Sequence, residues 1–372
     1  MKTIAFVSTN ETAPWGGSEE LWFQTALRMA REGFSIKASV MHWASREHPS
    51  IRQLEASGCQ VQRREQRRSI VERAINKLTK NKLPYSWLAK PHPDLALISL
   101  GSSGEGVHWM EACANRSIPF VVIVHSASDL FWPRDEYLDR MAAAYSSARS
   151  CFFVSRRIIE TVETQMAVKL ENSRIVRNPY KVSLDFSSPM PPLDAIKMAC
   201  VGSLEPISKG QDILFKVLSR NKWRERPVAV SIFGAGHNAN SLRRLKTLLK
   251  LDNVQFCGYT DDIESVWESH HALVQPSRFE GMPITIVEAM LCGRVCIATD
   301  VGGNTELVSD NVNGFVAKAA LPDFLDEALE RAWQRRESWK DIGKLAANDI
   351  RRIVPRDPVG EFIKALTPII GI

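Results

Sequence analysis

Two blocks of alternating strand and helix, a length of 372 residues and a proline-rich break between the blocks predict an α/β protein of two doubly wound parallel-sheet domains. A single core seldom grows past about 250–300 residues, so this length calls for two. Short apolar runs bounded by turn residues mark the strands. In the first block they are Thr3–Ser8, Ile36–Met41, Leu95–Leu100, Phe120–His125, Cys151–Ser155 and Arg174–Val176. In the second they are Lys197–Gly202, Val228–Phe233, Val254–Cys257, Ala272–Gln275, Val295–Thr299 and Gly314–Val316. Helical stretches fill the gaps, and Ser187-Ser188-Pro189-Met190-Pro191-Pro192 reads as the linker.

Ligands of doubly wound folds sit at the carboxyl ends of the strands, so the loops there carry the functional reading. After the first strand, Thr9 to Gly17 ends in Gly16-Gly17, with Ser18 as N-cap and Glu19 and Glu20 in the first helical turn. Taken alone, this is an ordinary strand-to-helix turn. The Gly101–Gly106 loop also follows a strand and either shapes a pocket or simply opens a helix. Arg63, Arg64, Arg67, Arg68, Arg73, Lys77, Lys80, Lys82 and Lys90 make the 62–90 segment strongly basic, with Ile70, Val71, Ile75, Leu78 and Leu83 interspersed. That pattern suits peripheral contact with an anionic membrane or a phosphorylated acceptor. It suits a solvated helix face equally well.

The second block is organised around Gln275-Pro276-Ser277-Arg278-Phe279-Glu280-Gly281-Met282-Pro283-Ile284-Thr285-Ile286-Val287-Glu288-Ala289-Met290. It reads as strand, tight loop, helix. Pro283 suits the first turn of a helix, where its missing N–H is no loss. Free N–H groups and the positive end of the dipole make such a helix start an anion site. Gly281 lets a ligand approach the backbone. Glu280 and Glu288 lie at most about 12 Å apart along the chain, comparable to the distance from a hexose to the ribose of a nucleotide sugar. The spacing alone is weak, because with glutamate near ~6% of residues about one such pair arises by chance.

Composition excludes more than it selects. Apolar content of 44% and charged content of 24% are ordinary for a soluble globular protein. No apolar run approaches the ~18 residues of a membrane span. Met1-Lys2-Thr3 leads straight into the first strand, without signal-peptide architecture. Seven cysteines without C-x-x-C spacing favour reduced thiols and a cytoplasmic location, and all of them, the Cys292/Cys296 pair included, read as core. The net charge of +6 slightly favours anionic partners. No Walker A sequence, His-Glu-x-x-His, Cys/His cluster or suitably placed Asp-x-Asp occurs, so no metal or other cofactor is expected. Nothing points to a nucleic acid. A nicotinamide dehydrogenase is disfavoured, since Gly-x-Gly-x-x-Gly is absent after the first strand.

The context of the paired glutamates is specific. Phe279-Glu280-Gly281-Met282-Pro283 with Glu288-Ala289-Met290, followed by Cys292-Gly293-Arg294 and Val301-Gly302-Gly303, closely resembles the retaining glycosyltransferases of family 4, which have the GT-B fold. The resemblance extends to Val201-Gly202-Ser203-Leu204-Glu205-Pro206, Lys209-Gly210, Phe233-Gly234-Ala235-Gly236 and Trp15-Gly16-Gly17-Ser18-Glu19. It is strong over residues 197–320 and weak over 45–115. It implies two Rossmann-like domains with a cleft between them and a last helix crossing back. The expected boundaries are 1–185 with 357–372 for an acceptor-binding domain, and 186–356 for the donor-binding domain. It also implies that Gly16 and Gly17 reach the donor phosphates or the transferred sugar. His125 would hydrogen-bond that sugar and orient the acceptor, although a histidine closing a buried strand is most often a satisfied core group. Lys209 would neutralise the leaving diphosphate, with the helix start at Met282, Pro283, Ile284 and Thr285. Glu280 would hold sugar hydroxyls, Glu288 the ribose, and the Gly234 loop would border the base. Ser203 departs from the family, which commonly has arginine there; one phosphate cation is then lost unless Arg278 or another base compensates, and Ser203 can still donate a weaker hydrogen bond.

The implied function is retaining transfer of a hexose-type sugar from a nucleoside-diphosphate sugar to an acceptor hydroxyl, in polysaccharide or glycolipid assembly. The acceptor would be a carbohydrate or lipid-linked sugar, met by a cytoplasmic enzyme or one peripheral at the inner membrane face. The alternatives are an epimerase or phosphorylase on the same fold, and a non-catalytic nucleotide-sugar binding protein. Because acidic metal ligands are missing and a helix start serves the phosphates, activity is expected to survive EDTA. Loss of turnover that magnesium or manganese restores would contradict this.

Overall fold

The computed structural model describes residues 1–11, 13–43, 47–65, 87–88 and 91–371. The chain divides into two units, Met1–Pro179 with Asp357–Ile372, and Tyr180–Arg356. The first unit carries strands β1 (Thr3–Ser8), β2 (Ser35–Met41), β3 (Gln60–Arg64), β4 (Leu95–Leu100), β5 (Phe120–Val124), β6 (Ser150–Phe153) and β7 (Ser173–Ile175). They form one parallel sheet in the order β3-β2-β1-β4-β5-β6-β7. The second unit carries β8 (Ile196–Val201), β9 (Val228–Phe233), β10 (Val254–Gly258), β11 (Ala272–Gln275), β12 (Val295–Thr299) and β13 (Phe315–Ala317). Its parallel sheet runs β10-β9-β8-β11-β12-β13. Both are doubly wound, with the order reversing between β1 and β4 in one unit and between β8 and β11 in the other.

The central strands are mostly apolar because helices cover both faces of a parallel sheet. Every residue of β4, β5, β11 and β12 is buried. β3 is the strand that apolar runs do not reveal. Among the described residues it is an edge strand, Gln-Val-Gln-Arg-Arg, with a single apolar residue, paired with β2 alone. Its arginines correct the reading of the basic segment. Arg63 is clamped between Glu47 (2.5 Å) and Glu55 (2.7 Å). Arg64 donates to Ser39 Oγ and the Ser8 carbonyl, with its guanidinium over the Trp109 ring. Neither forms part of a free basic face. The rest of the segment, Arg67 through Leu83 and Lys90, lies outside the described residues.

The first unit ends at Pro179, not 185. Residues 180–186 are held by the second unit, where the Lys181 N–H donates to Glu288 Oε1 and Arg351 donates to the carbonyls of Leu184 and Phe186. Ser187–Pro192 is likewise no free linker. The buried Arg294 guanidinium donates to the Ser188 and Pro189 carbonyls, and His271 Nε2 donates to the Pro192 carbonyl while its Nδ1 accepts from the Lys197 N–H. Six of the seven cysteines are buried; Cys257 is exposed. No helix among the described residues is long and apolar enough to cross a membrane.

The last helix, Pro358–Ile370, belongs to the first unit. It buries Val359, Phe362, Leu366 and Ile370, with Phe362 edge-on to Phe152 at 5.0 Å. Asp357 caps it, accepting from the Gly360 N–H at 2.8 Å, and pairs with Arg28 of the helix Gly17–Arg31 at 2.5 Å. Both partners of that ion pair are about half exposed, so the cap outweighs it. Asp357→Ala should therefore lower the stability of this unit by about 1 kcal/mol in urea unfolding, and Asp357→Asn, which keeps a capping oxygen, by only a few tenths. Equal losses would assign the effect to the ion pair.

Candidate functional site

The second unit's reversal point sets the loop after β8 against the loop after β11. Gly210 makes the close approach possible. It adopts a left-handed conformation (φ 65°), and a Cβ there would lie 1.9 Å from the Pro276 carbonyl oxygen. The Arg278 N–H donates to the Ser208 carbonyl at 2.8 Å, closing the two loops together. This contact brings Lys209 onto Glu280, with Nζ 2.7 and 2.9 Å from the two carboxylate oxygens. Glu280 is only 7% exposed. Its Oε1 also accepts from Gln275 Nε2 (2.6 Å) and Ser277 Oγ (2.7 Å). The two charged residues singled out in the sequence for different parts of a ligand thus form one ion pair with a buried carboxylate, richly supplied with donors.

Arg278 does not replace a cation at Ser203. Its guanidinium forms a bidentate pair with Asp212 at 2.7 and 2.8 Å and donates to the Pro206 carbonyl. The Asp212 carboxylate thereby holds the Arg278 guanidinium above its ordinary pKa. The Ser203 carbonyl accepts from Gln211 Nε2 at 2.7 Å, which fixes the loop that carries Lys209.

The helix Ile284–Leu291 starts one residue later than expected, with Pro283 as its N-cap (φ −71°, ψ 120°) and no side chain bonded to its first N–H groups. Gly281, Met282, Pro283, Ile284 and Thr285 therefore form a helix start whose donors are not taken by a side-chain cap, beside the Lys209–Glu280 pair. A turn after β12 braces the backbone here. The Gly303 N–H donates to the Gly281 carbonyl at 2.6 Å, and a Cβ on Gly302 would meet the Glu280 carbonyl oxygen at 2.1 Å. Asn304 donates to the Thr299 carbonyl and serves the turn.

Glu288 lies on the same helix, 3% exposed, and its Oε1 accepts the Lys181 N–H at 2.9 Å. Burial pushes its carboxyl up to about 7, partly offset by that hydrogen bond. The loops after β8, β9 and β10 interlock. A Cβ on Gly234 would lie 1.9 Å from the Gly202 carbonyl oxygen, and the Gly234 N–H donates to the Gly258 carbonyl at 2.7 Å.

In the first unit, Gly16 rather than Ser18 is the N-cap of the helix Gly17–Arg31, with no side-chain cap bond. Glu19 is buried, accepting from Trp22 Nε1 at 2.9 Å, and burial raises its carboxyl pKa. Glu105 went unnoticed in the sequence. Its Oε2 accepts from Thr9 Oγ1 (2.7 Å) and the Gly101 N–H (3.2 Å), tying together the loops on either side of the reversal point. Burial raises its pKa as well. An acidic residue between the glycines of a loop after a strand was the available signal. His125 closes β5, 7% exposed, with Nε2 3.2 Å from Ser99 Oγ and no partner on Nδ1. Burial lowers its pKa to about 3, so at neutral pH it offers hydrogen bonds and no charge.

Residues 195–335 match the family model for glycosyl transferases group 1. An uncharacterized glycosyltransferase of Methanocaldococcus jannaschii is 30% identical over 146 residues, 39% of this chain and 40% of that protein. The UDP-Gal:alpha-D-GlcNAc-diphosphoundecaprenol alpha-1,3-galactosyltransferase of Escherichia coli is 32% identical over 102 residues, 27% of this chain and 26% of that one. Each of these two matches thus spans less than half of the relative's length. A crystal structure of Anabaena HepE in complex with UDP and glucose superposes with a TM-score of 0.76 at 18% identity, covering 98% of this chain and 99% of that one. The two parallel-sheet units are those of GT-B glycosyltransferase structures.

The raised Glu288 carboxyl has a consequence for stability. The folded state binds this proton more tightly than the unfolded chain, so the contribution is present below the ordinary carboxylate pKa of 4.5 and is lost as pH rises through about 7. Glu288→Gln removes the titration and keeps an oxygen for the Lys181 N–H. The variant should gain on wild type between pH 5 and pH 8 by up to about 3 kcal/mol in thermal or urea unfolding. A difference that does not change with pH would contradict the burial of this carboxyl.

Proposed function

We propose, from the glycosyltransferase group 1 match over residues 195–335, that this protein is a retaining, metal-independent hexosyltransferase that uses a nucleoside-diphosphate sugar. The observation that carries the reading is the partly buried Lys209–Glu280 pair beside the start of the helix Ile284–Leu291. That arrangement supplies a cation, free backbone donors and a hydroxyl-accepting carboxylate within one set of loops. A sugar diphosphate needs these three kinds of group.

In this reading the bond between the sugar and the diphosphate breaks while an oxocarbenium-like sugar forms. Charge grows on the departing phosphate, where Lys209 and the helix start at Pro283–Thr285 stabilise it as preorganised donors. Glu280 holds sugar hydroxyls and Glu288 the ribose. The acceptor hydroxyl attacks from the leaving-group face and a phosphate oxygen takes its proton, so no side chain forms a covalent intermediate. His125 belongs to the acceptor-binding unit together with the Gly16-Gly17 loop. Being neutral, it orients a hydroxyl by hydrogen bonding and does not supply a charge. The name of the Escherichia coli relative gives a diphosphate-linked lipid as its acceptor. It supports, for this chain, a lipid-linked sugar acceptor in glycan assembly. Free thiols support a cytoplasmic location.

A panel of nucleotide sugars screened by thermal shift identifies the donor. A bound donor at a hundredfold excess over its dissociation constant stabilises by roughly 2.7 kcal/mol. With that donor, slow hydrolysis reports chemistry without knowledge of the acceptor. Glu280→Gln should lower turnover by about a hundredfold, because a group at the reacting ring is lost. Glu288→Gln should chiefly raise KM, since ribose binding is shared by ground and transition states. A wild-type protein that binds donor but never turns it over, with or without acceptor sugars, is a binding protein and not an enzyme.

A further inference from the structure

Gln275 ends β11 and is 4% exposed, and both ends of its amide are engaged. Nε2 donates to Glu280 Oε1 at 2.6 Å, and Oε1 accepts from Thr285 Oγ1 at 2.7 Å. A continuous hydrogen-bonded line therefore runs from the first turn of the helix Ile284–Leu291, through the end of β11, to the Glu280 carboxylate. Ser277, itself buried, donates to the same Glu280 oxygen at 2.7 Å. The carboxylate is supplied asymmetrically. Its Oε1 has two donors on buried side chains as well as the Lys209 ammonium. Its Oε2 has the ammonium at 2.9 Å as its hydrogen-bond partner. That ammonium ends a flexible four-carbon stem, and the Lys209 side chain is 26% exposed.

We propose that Gln275 is a positioning residue that locks Glu280 with Oε1 turned inward and reserves Oε2 for one hydroxyl of the transferred sugar. The inference rests on the donor reading above. A diphosphate at the helix start competes for the Lys209 ammonium. When the ammonium turns to the phosphates, Oε1 keeps Gln275 and Ser277, so the carboxylate holds its orientation. Oε2 then loses its cation and regains accepting capacity. Phosphate binding and sugar recognition are thereby coupled through one lysine. Gln275 matters only when a sugar is present, because a nucleoside diphosphate alone draws Lys209 away and leaves Oε2 unused. Thr285 acts one step further back by fixing which way the Gln275 amide faces.

The test compares nucleoside diphosphates with their sugars by calorimetry, using UDP with UDP-glucose, GDP with GDP-mannose and ADP with ADP-glucose. Gln275→Met keeps the side chain's length and apolar packing while removing both hydrogen bonds. It should weaken the sugar nucleotide about tenfold, the size of one hydrogen bond to a charged group, while the matching diphosphate stays within about twofold. Thr285→Val should shift the same ratio by about threefold. It changes no volume, so it carries the test if the methionine variant does not fold. In a Glu280→Gln background neither change should alter the ratio further. Equal weakening of diphosphate and sugar nucleotide would make Gln275 a merely structural residue and overturn the proposal, as would no change in either variant. If no pair binds the wild type, the donor reading itself fails and the proposal falls with it. If a pair binds and the variants match wild type, only the role of Gln275 fails.

Discussion

A single backbone contact underlies the second unit's site. Gly210, in the left-handed region, lies so close to the Pro276 carbonyl that no side chain fits between them. Any residue with a Cβ would push the loop after β8 away from the loop after β11, and Lys209 would leave Glu280 with it. The same logic recurs at Gly234 against Gly202 and at Gly302 against Glu280. Three glycines thus hold four loops at backbone distance around the end of the sheet. Close packing of backbones at a reversal of strand order is what allows charged side chains from distant parts of the sequence to meet.

Three cations of the second unit are paired with carboxylates. Arg278 is neutralised by Asp212, Lys181 by Asp261, and Lys209 by Glu280. The Lys209–Glu280 pair differs from the other two in its surroundings. Its carboxylate is buried and fixed by Gln275 and Ser277, while its ammonium is partly exposed. In the proposed reading, an anion at the helix start draws the ammonium away while Gln275 and Ser277 keep the carboxylate in place. Arg278 is held by Asp212, so under the proposed donor reading Lys209 is the cation of these loops and Ser203 adds none.

Most of the fold was legible because parallel strands buried on both faces must be apolar throughout. Leu95–Leu100, Ala272–Gln275 and Val295–Thr299 were read with their observed bounds for that reason. β3 was not, since an edge strand of Gln-Val-Gln-Arg-Arg carries no such run, and its arginines read equally as membrane or acceptor contacts and as a solvated face, whereas Glu47, Glu55 and Ser39 hold them. The helix start, Lys209 and both glutamates stood out from local motif context. Their mutual bonds did not, because Lys209 meets Glu280 across 71 positions and Arg278 meets Asp212 across 66. Gln275 looked like the tail of a strand. Its meaning comes from Thr285 ten residues later, and only a folded loop brings the two together.

The central claim is that the loops after β8 and β11, with the helix start at Ile284, receive a nucleoside-diphosphate sugar. Amide hydrogen exchange with the panel-identified donor bound tests it most directly, because exchange reports where backbone N–H groups become protected. The account predicts added protection in residues 202–210 and 277–288, where the proposed phosphate donors and the carboxylate-bearing loop lie. Saturating donor that leaves both segments unchanged, while protecting other parts of the chain, would contradict it.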